Sequence, residues 1–170
     1  LTEIPVITTA RLRLRALCET DFPAYAAFYA SDRAGFVGGP LGPKGTWKRF
    51  AAVAGHWALK GFGWWTVEVD GRPAGYAGLH HPPYQADMEL GWTIYAPFSG
   101  RGLALEAARA ALHWGWANLN PRRLVSYVDA QNAPSIRLAE RLGATPEPGR
   151  AAHDPLSLTF VHPRPSGETT

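Results

Sequence analysis

Ser99-Gly100-Arg101-Gly102-Leu103-Ala104 stands between an alternating run, Met88-Glu89-Leu90-Gly91-Trp92-Thr93-Ile94-Tyr95, and an unbroken helical run over residues 103–118. Strand, glycine turn and helix, in that order, set the fold class. Two glycines one residue apart let the backbone curl so that successive amides point the same way. The helix start adds unpaired N–H groups and the positive end of its dipole. The stretch therefore reads as an anion cradle, although a plain tight connection has the same composition. Two nucleotide motifs fail on it. The triphosphate loop needs a Lys-Ser/Thr pair where Leu103-Ala104 stands, and the dinucleotide fingerprint needs a third small residue where Leu105 stands.

Working outward, 170 residues with 46% hydrophobic content suit one compact domain over residues 1–170, with a sizeable core. A balance of 17 basic to 14 acidic residues gives net +3, but the basic residues are scattered, so the charge suits an anionic cofactor rather than a nucleic acid. Cys18 is the single cysteine, which rules out an internal disulfide, and no Cys/His group has metal-ligand spacing. No apolar run reaches the length of a membrane span, and Leu1-Thr2-Glu3-Ile4-Pro5 lacks a signal-peptide pattern. A cytoplasmic protein without a structural metal is expected.

Alternation in Arg11-Leu12-Arg13-Leu14-Arg15-Ala16-Leu17 predicts a half-exposed first strand with Leu12 and Leu14 inward and a solvated arginine face. Thr20 or Asp21 is placed to cap a helix whose Tyr25, Phe28 and Tyr29 fall at core spacing. Residues 35–45 form a glycine- and proline-rich loop, and Thr46 is placed to cap a second helix through residue 60. Asp70-Gly71 between two β-rich runs predicts a hairpin. Gly75 and Gly78 in its second strand point to a close approach or to a bulge. On the run 88–95, Met88, Leu90, Trp92 and Ile94 share one face, and Glu89, Gly91, Thr93 and Tyr95 the other, so a carboxylate stands beside a residue without bulk. The 103–118 helix buries Leu105, Ala108 and Leu112, residues 124–128 and 156–161 read as strands, and residues 164–170 as a frayed tail. His80 and His81, beside Pro82-Pro83-Tyr84, read as ordinary loop-edge residues, the alternative being a pair that assists proton transfer.

Residues 99–104 resemble the Gln/Arg-x-x-Gly-x-Gly/Ala signature of the GCN5-related N-acetyltransferases, with Gly102 and Ala104 at its last two positions and Ser99 in place of Gln/Arg. A second block, Asn132-Ala133-Pro134-Ser135-Ile136-Arg137-Leu138-Ala139-Glu140-Arg141-Leu142-Gly143, is similar to the Asn-x-x-Ser-x-x-x-x-x-x-Leu-Gly helix of the RimJ/RimL-like branch. The resemblance runs over residues 11–163. It implies an α/β (α+β) fold: a twisted, mostly antiparallel mixed sheet of six to seven strands with four helices on both faces. It also implies acetyl-coenzyme A as cofactor and a primary amine as acceptor, in a monomer or homodimer with neither nucleic-acid nor membrane partners. The pyrophosphate would lie on the amides of Arg101, Gly102, Leu103 and Ala104, with Gly100 as part of the cofactor-binding turn and the Arg101 side chain close enough to favour the phosphates. The pantetheine arm would lie along Trp92, Thr93 and Ile94, whose strand splays from its neighbour, with help from Asn132 and Ser135.

No Cys or Ser sits in a nucleophile motif, so direct attack by the amine is expected. Only a neutral amine attacks. An α-amine with a pKa of about 8 is partly neutral at pH 7, whereas a lysine at about 10.4 is almost wholly protonated, which favours a peptide N-terminus or a small-molecule amine. Glu89 is the candidate base, its alternative being a solvated or ion-paired strand carboxylate. The tyrosine that many relatives use as acid is replaced by Ala139, which leaves Ser135 as candidate acid, its alternative being a hydroxyl bonded to its own helix. For Asn132 the alternative is capping alone. A non-catalytic coenzyme A binding module is the rival from another class; it would keep the cradle and not need Glu89.

Overall fold

The computed structural model describes residues 3–166. Its elements are β1 (Ile7–Thr8), β2 (Arg13–Arg15), α1 (Phe22–Tyr29), α2 (Pro43–Lys60), β3 (Trp64–Val69), β4 (Arg72–His80), β5 (Met88–Ile94), α3 (Leu103–Leu119), β6 (Leu124–Asp129), α4 (Ala133–Arg141), β7 (Thr145–Pro146) and β8 (Ser157–Val161). All eight strands join one sheet in the order β1-β2-β3-β4-β5-β6-β8-β7. Every pairing is antiparallel except β5 with β6, where α3 makes the crossover. The expected mixed, mostly antiparallel sheet is observed with eight strands rather than six to seven. The added strand is β1, two residues paired to β2 through Ile7↔Leu14 and Thr8↔Arg13, too short to show any period in sequence.

The Asp70-Gly71 hairpin forms as expected. Both residues have positive φ, 49° and 72°, as the two-residue turn that matches strand twist requires. Both expectations for Gly75 hold together: the β3–β4 register shifts at Val67/Glu68, and a Cβ on Gly75 would stand 2.0 Å from the Thr93 carbonyl oxygen. Alternation on β5 divides the core. Leu90 joins Trp65, Val67, Leu79 and the inner face of α3, where Ala107, Ala108, Ala111 and Gly115 are buried and let the helix lie close to the sheet. Tyr95 joins Tyr25, Phe28, Tyr29, Phe50 and Tyr76 under α1 and α2. At about 25 cal/mol per Å² of apolar surface these two layers dominate the driving force for folding.

Several local expectations are corrected. The arginines of β2 are not a uniformly solvated face. Arg15 grips the buried Asp21 with two N–H···O bonds of 2.8 Å and also pairs with Glu68. Arg11 likewise pairs with Glu106. Asp21 precedes α1 but caps it with no side-chain bond, since its carboxylate is taken by Arg15, Cys18 N–H and the Thr66 hydroxyl. Thr46 lies inside α2, which starts at Pro43, and its hydroxyl donates to the Gly42 carbonyl. Leu105 is half-buried and faces a groove instead of the core. Within the expected frayed tail, Arg164 is anchored by a 2.7 Å bond to the Pro121 carbonyl and lies over the Trp116 ring. Residues 167–170 lie outside the described residues.

Candidate active site

The glycine turn is built by its own backbone and held by a residue far off in sequence. Gly100 and Gly102 have φ of 77° and 74°, a region that side chains with a Cβ rarely adopt. Gly102 stands at the N-cap of α3 with no side-chain cap, and the first helical bond there runs from Glu106 N–H to the Gly102 carbonyl at 3.3 Å. The N–H groups of Leu103, Ala104 and Leu105 are therefore left at the open end of the helix dipole. The Arg11 side chain donates to Glu106 Oε2 at 2.7 Å and to the Arg101 carbonyl at 2.8 Å, and the Thr9 hydroxyl donates to Glu106 Oε1 at 2.6 Å. This clamp fixes the turn and neutralises the one acid in the first turn of α3. Burial alone would raise the Glu106 carboxyl, but Thr9 and Arg11 outweigh it and hold its pKa below the ordinary value.

From the turn a groove of about 590 Å³ runs along β5 to α4. Its β5 edge is open because β5 and β6 pair only through Met88↔Leu124 and Glu89↔Val125 before they diverge. A polar wedge holds them apart. The Ser126 hydroxyl donates to the Leu90 carbonyl at 2.7 Å and receives the His162 Nε2 proton at 2.8 Å. Both residues are buried, and burial lowers the His162 pKa to about 4, so the ring is neutral. Farther along, Arg33 donates to the Ile94 carbonyl at 3.3 Å. Leu90 and Ile94 thus point their carbonyls away from β4, and by strand alternation so does Trp92 between them. Tyr95 N–H bonds the Ala74 carbonyl of β4, so the backbone of Thr93 belongs to the β4 ladder and Thr93 offers the clefts its side chain.

A second cleft, of about 470 Å³, lies on the tyrosine-lined face of the sheet. Trp92, Thr93, Asn132 and Ser135 line both cavities, so the two meet at the splay and the start of α4. Glu89 lines the second. Its Oε2 accepts a bond from Gln85 Nε2 at 2.9 Å and lies 3.7 Å from His80 Nδ1. The space expected beside Glu89 at Gly91 is filled: a Cβ there would stand 2.3 Å from the Trp64 ring. An indole, not solvent, is therefore the neighbour of this stretch of β5. His56 is a neutral ring in the same cleft: its Nε2 accepts from His81 N–H at 3.2 Å, leaving Nδ1 to donate to the Phe62 carbonyl at 2.7 Å. Burial lowers its pKa. Among the described residues Gln85 Oε1 is buried without a partner.

The candidate residues from sequence fall into this arrangement as follows. Ile94, Gly100, Gly102, Leu103 and Ala104 line the groove together with Trp92, Thr93, Asn132 and Ser135, and Glu89 stands in the adjoining cleft. Arg101 is exposed, lines neither, and contributes its carbonyl to the Arg11 clamp. Asn132 caps α4 by accepting from Ser135 N–H at 3.3 Å. Among the described residues the Ser135 hydroxyl makes no hydrogen bond, so it is not engaged with its own helix. Sequence reading missed Arg11, Arg33, Ser126, His162, Tyr29, Tyr76 and Gln85. A lone serine inside the β-rich run 124–128 was a faint signal for Ser126. Nothing local marked the rest. His80, read as a loop-edge residue, lies instead in the cleft beside Glu89.

The chain matches the family model described as acetyltransferase (GNAT) domain over residues 11–145. It is 40% identical to an acetyltransferase of known structure from Agrobacterium tumefaciens str. C58, with 94% of this chain and 95% of that one covered and a TM-score of 0.89. It is 29% identical to a GnaT-family acetyltransferase from Bordetella pertussis, with 94% and 100% covered and a TM-score of 0.77. Spermidine N(1)-acetyltransferase from Escherichia coli (strain K12) is 33% identical over 91 residues, 52% of this chain and 47% of that protein. The match spans about half the length of that curated relative. Among the described residues no helix is long and apolar enough to cross a membrane, and no cluster of ligands could hold a metal ion.

Proposed function

This chain belongs to the GNAT acetyltransferase family, and from that premise we propose that it transfers an acetyl group from acetyl-coenzyme A to a primary amine by direct attack in a ternary complex. The observation that carries this reading is the junction of two cavities at Trp92, Thr93, Asn132 and Ser135, one leading to an uncapped helix start and the other to a carboxylate. The residues fit the cofactor. The free amides at the start of α3 suit a pyrophosphate, and the unpaired edge at Trp92 suits an extended arm that hydrogen-bonds to backbone. Arg33, Arg137 and Arg141 line the groove and favour an anionic ligand. When bound, acetyl-coenzyme A supplies the activated acetyl group as a thioester.

The chain's own residues then handle position and protons. Glu89 takes a proton from the incoming ammonium, so that the nitrogen lone pair becomes available. Gln85, through its N–H to Oε2, holds that carboxylate in one orientation. As the new C–N bond would form and the C–S bond break, the unengaged Ser135 hydroxyl would pass its proton to the sulfur and take in its place the proton that the nitrogen sheds on becoming an amide. The Asn132-to-Gly143 block supports a place in the RimJ/RimL-like branch, with an α-amine or small-molecule amine as acceptor.

The experiment is a screen of primary amines for release of free thiol from acetyl-coenzyme A, paired with calorimetry of coenzyme A binding. Binding with thiol release supports the transferase. Tight binding with no amine turned over would support the non-catalytic coenzyme A module, and no binding would end both readings.

A further inference from the structure

The second cleft carries both signs of charge: Glu89 lines it, and so does Arg49 of α2, which is exposed at the cleft wall with its guanidinium carbon 5.1 Å from the centre of the buried Tyr29 ring. Among the described residues Arg49 is the one arginine that lines this cleft, and it has no carboxylate at ion-pair distance. The groups around it are phenols. Tyr29 and Tyr76 share a hydroxyl–hydroxyl bond of 2.7 Å, and burial raises the Tyr76 pKa well above its ordinary value, so Tyr76 brings no negative charge.

The other acids of the cleft are already engaged. Asp154 accepts from the Ser157 hydroxyl at 2.6 Å and from Leu156 N–H at 3.0 Å, and Asp129 accepts from Gln131 N–H at 2.8 Å. His56 is held neutral by its two bonds. What remains is a carboxylate placed to meet an amine and a guanidinium that lacks an anion. A guanidinium is always charged and presents a planar fork of donors that matches a carboxylate.

We propose that the acceptor is an amine that also carries a carboxylate, as in an amino acid or the N-terminus of an acidic peptide, with Arg49 as the residue that selects it. The inference rests on the transferase reading and narrows its substrate class. The amine lies toward Glu89 and the acetyl donor, and the carboxylate toward Arg49 and the Tyr29 face. A polyamine would bring a second ammonium to the guanidinium and is disfavoured by like-charge repulsion.

The test has a binding arm and a turnover arm. In the first, the protein saturated with coenzyme A is titrated with N-acetylglycine, N-acetyl-γ-aminobutyrate and N-acetylglutamate, each against its neutral amide. The wild type should bind at least one carboxylate about tenfold more tightly than its amide, the scale of one charge-assisted pair. Arg49→Gln should abolish the difference, Arg49→Lys should keep part of it, and Arg49→Glu should reverse it, all with coenzyme A affinity unchanged. No difference in the wild type, or an equal difference in Arg49→Gln, overturns the proposal. In the second arm the corresponding free amines and spermidine are compared by kcat/KM for thiol release. Preference for spermidine also overturns it. Carboxylate binding that depends on Arg49, with no thiol released from any amine, would remove the transferase reading and the acceptor role together while leaving only an anion site.

Discussion

Replacing Gly102 should separate the strength of the fold from the quality of the cradle. A Cβ on Gly102 meets nothing nearer than Arg11 Nη2 at 3.6 Å, so there is room for a side chain and the penalty comes from φ alone, which is 74°. Left-handed backbone costs about 1 kcal/mol for alanine and about 2 kcal/mol for a β-branched residue. That cost can be taken in either of two ways. If the turn keeps its shape, folding stability falls and coenzyme A binding is untouched. If the turn relaxes to negative φ, the amides of residues 102–104 swing away, and the cost reappears in binding, roughly fivefold for Gly102→Ala and roughly thirtyfold for Gly102→Val. The turn lies at a helix start held only by the Arg11 clamp, so relaxation is the expected route. Gly61 provides the control, because it ends α2 at φ 73° with nothing within 4 Å. Gly61→Ala should lower stability by a similar amount in urea unfolding and leave calorimetric coenzyme A affinity unchanged. Gly102→Asn, a residue that tolerates left-handed backbone, should restore most of the binding. A Gly102→Val protein with both stability and coenzyme A affinity at wild-type levels would refute the reasoning.

The remaining predictions address chemistry and pH. Glu89→Gln should lower the rate roughly a hundredfold or more and remove the acidic limb of the pH–rate profile; an unchanged profile would reduce Glu89 to a strand carboxylate held by Gln85. Ser135→Ala should lower kcat with little change in coenzyme A affinity, and an unaltered kcat leaves water as the proton source. His162 is neutral in the fold with a pKa of about 4, below the ordinary value of about 6.5. The unfolded chain therefore binds the extra proton first, and stability should fall as pH drops from about 6.5 to about 4, by roughly 3 kcal/mol in all. His162→Gln should flatten urea midpoints across that window. Asp21 acts in a lower window. Burial raises its carboxyl, but Arg15, Cys18 N–H and Thr66 outweigh it, so its contribution is present above about pH 4 and lost below. Asp21→Asn should cost about 3–5 kcal/mol at neutral pH by leaving Arg15 without its partner, and a loss under 1 kcal/mol would show the pair to be dispensable.

The parts of the molecule legible in sequence are those written by local rules. The Asp70-Gly71 turn, the alternation of β5 and the amphipathic run of α3 each repeat over a few residues, and each appears where the pattern places it. The glycine turn and the uncapped helix start after it were legible for the same reason, since glycine spacing and helix onset are adjacent. What was illegible is contact between distant positions. Arg11 and Glu106 are 95 residues apart, and nothing in Arg11-Leu12-Arg13 distinguishes the arginine that clamps the turn from one that faces solvent. Gly91 shows the opposite error. A glycine beside Glu89 suggested room for a substrate, yet the missing side chain makes room for Trp64, 27 positions earlier in the chain.

The splay between β5 and β6 shows why such distant polar contacts decide function once apolar pattern has decided the fold. A parallel pair of β-rich strands gains a hydrogen bond at each step and has no apolar reason to stop after Glu89↔Val125. It stops because the next outward carbonyl, that of Leu90, already has a donor in Ser126, and Ser126 is held in place by a neutral histidine from beyond β8. One bond to a side chain replaces one bond of the ladder, so the opening is made without leaving that buried carbonyl unpaired, which would cost about 1–3 kcal/mol. Arg33 does the same for Ile94 at the far end. Between these two satisfied carbonyls lies the edge of Trp92, where the two cavities meet. An extended ligand can add itself there as a short strand, and the open edge between these two capped carbonyls is the place we propose for the acyl donor.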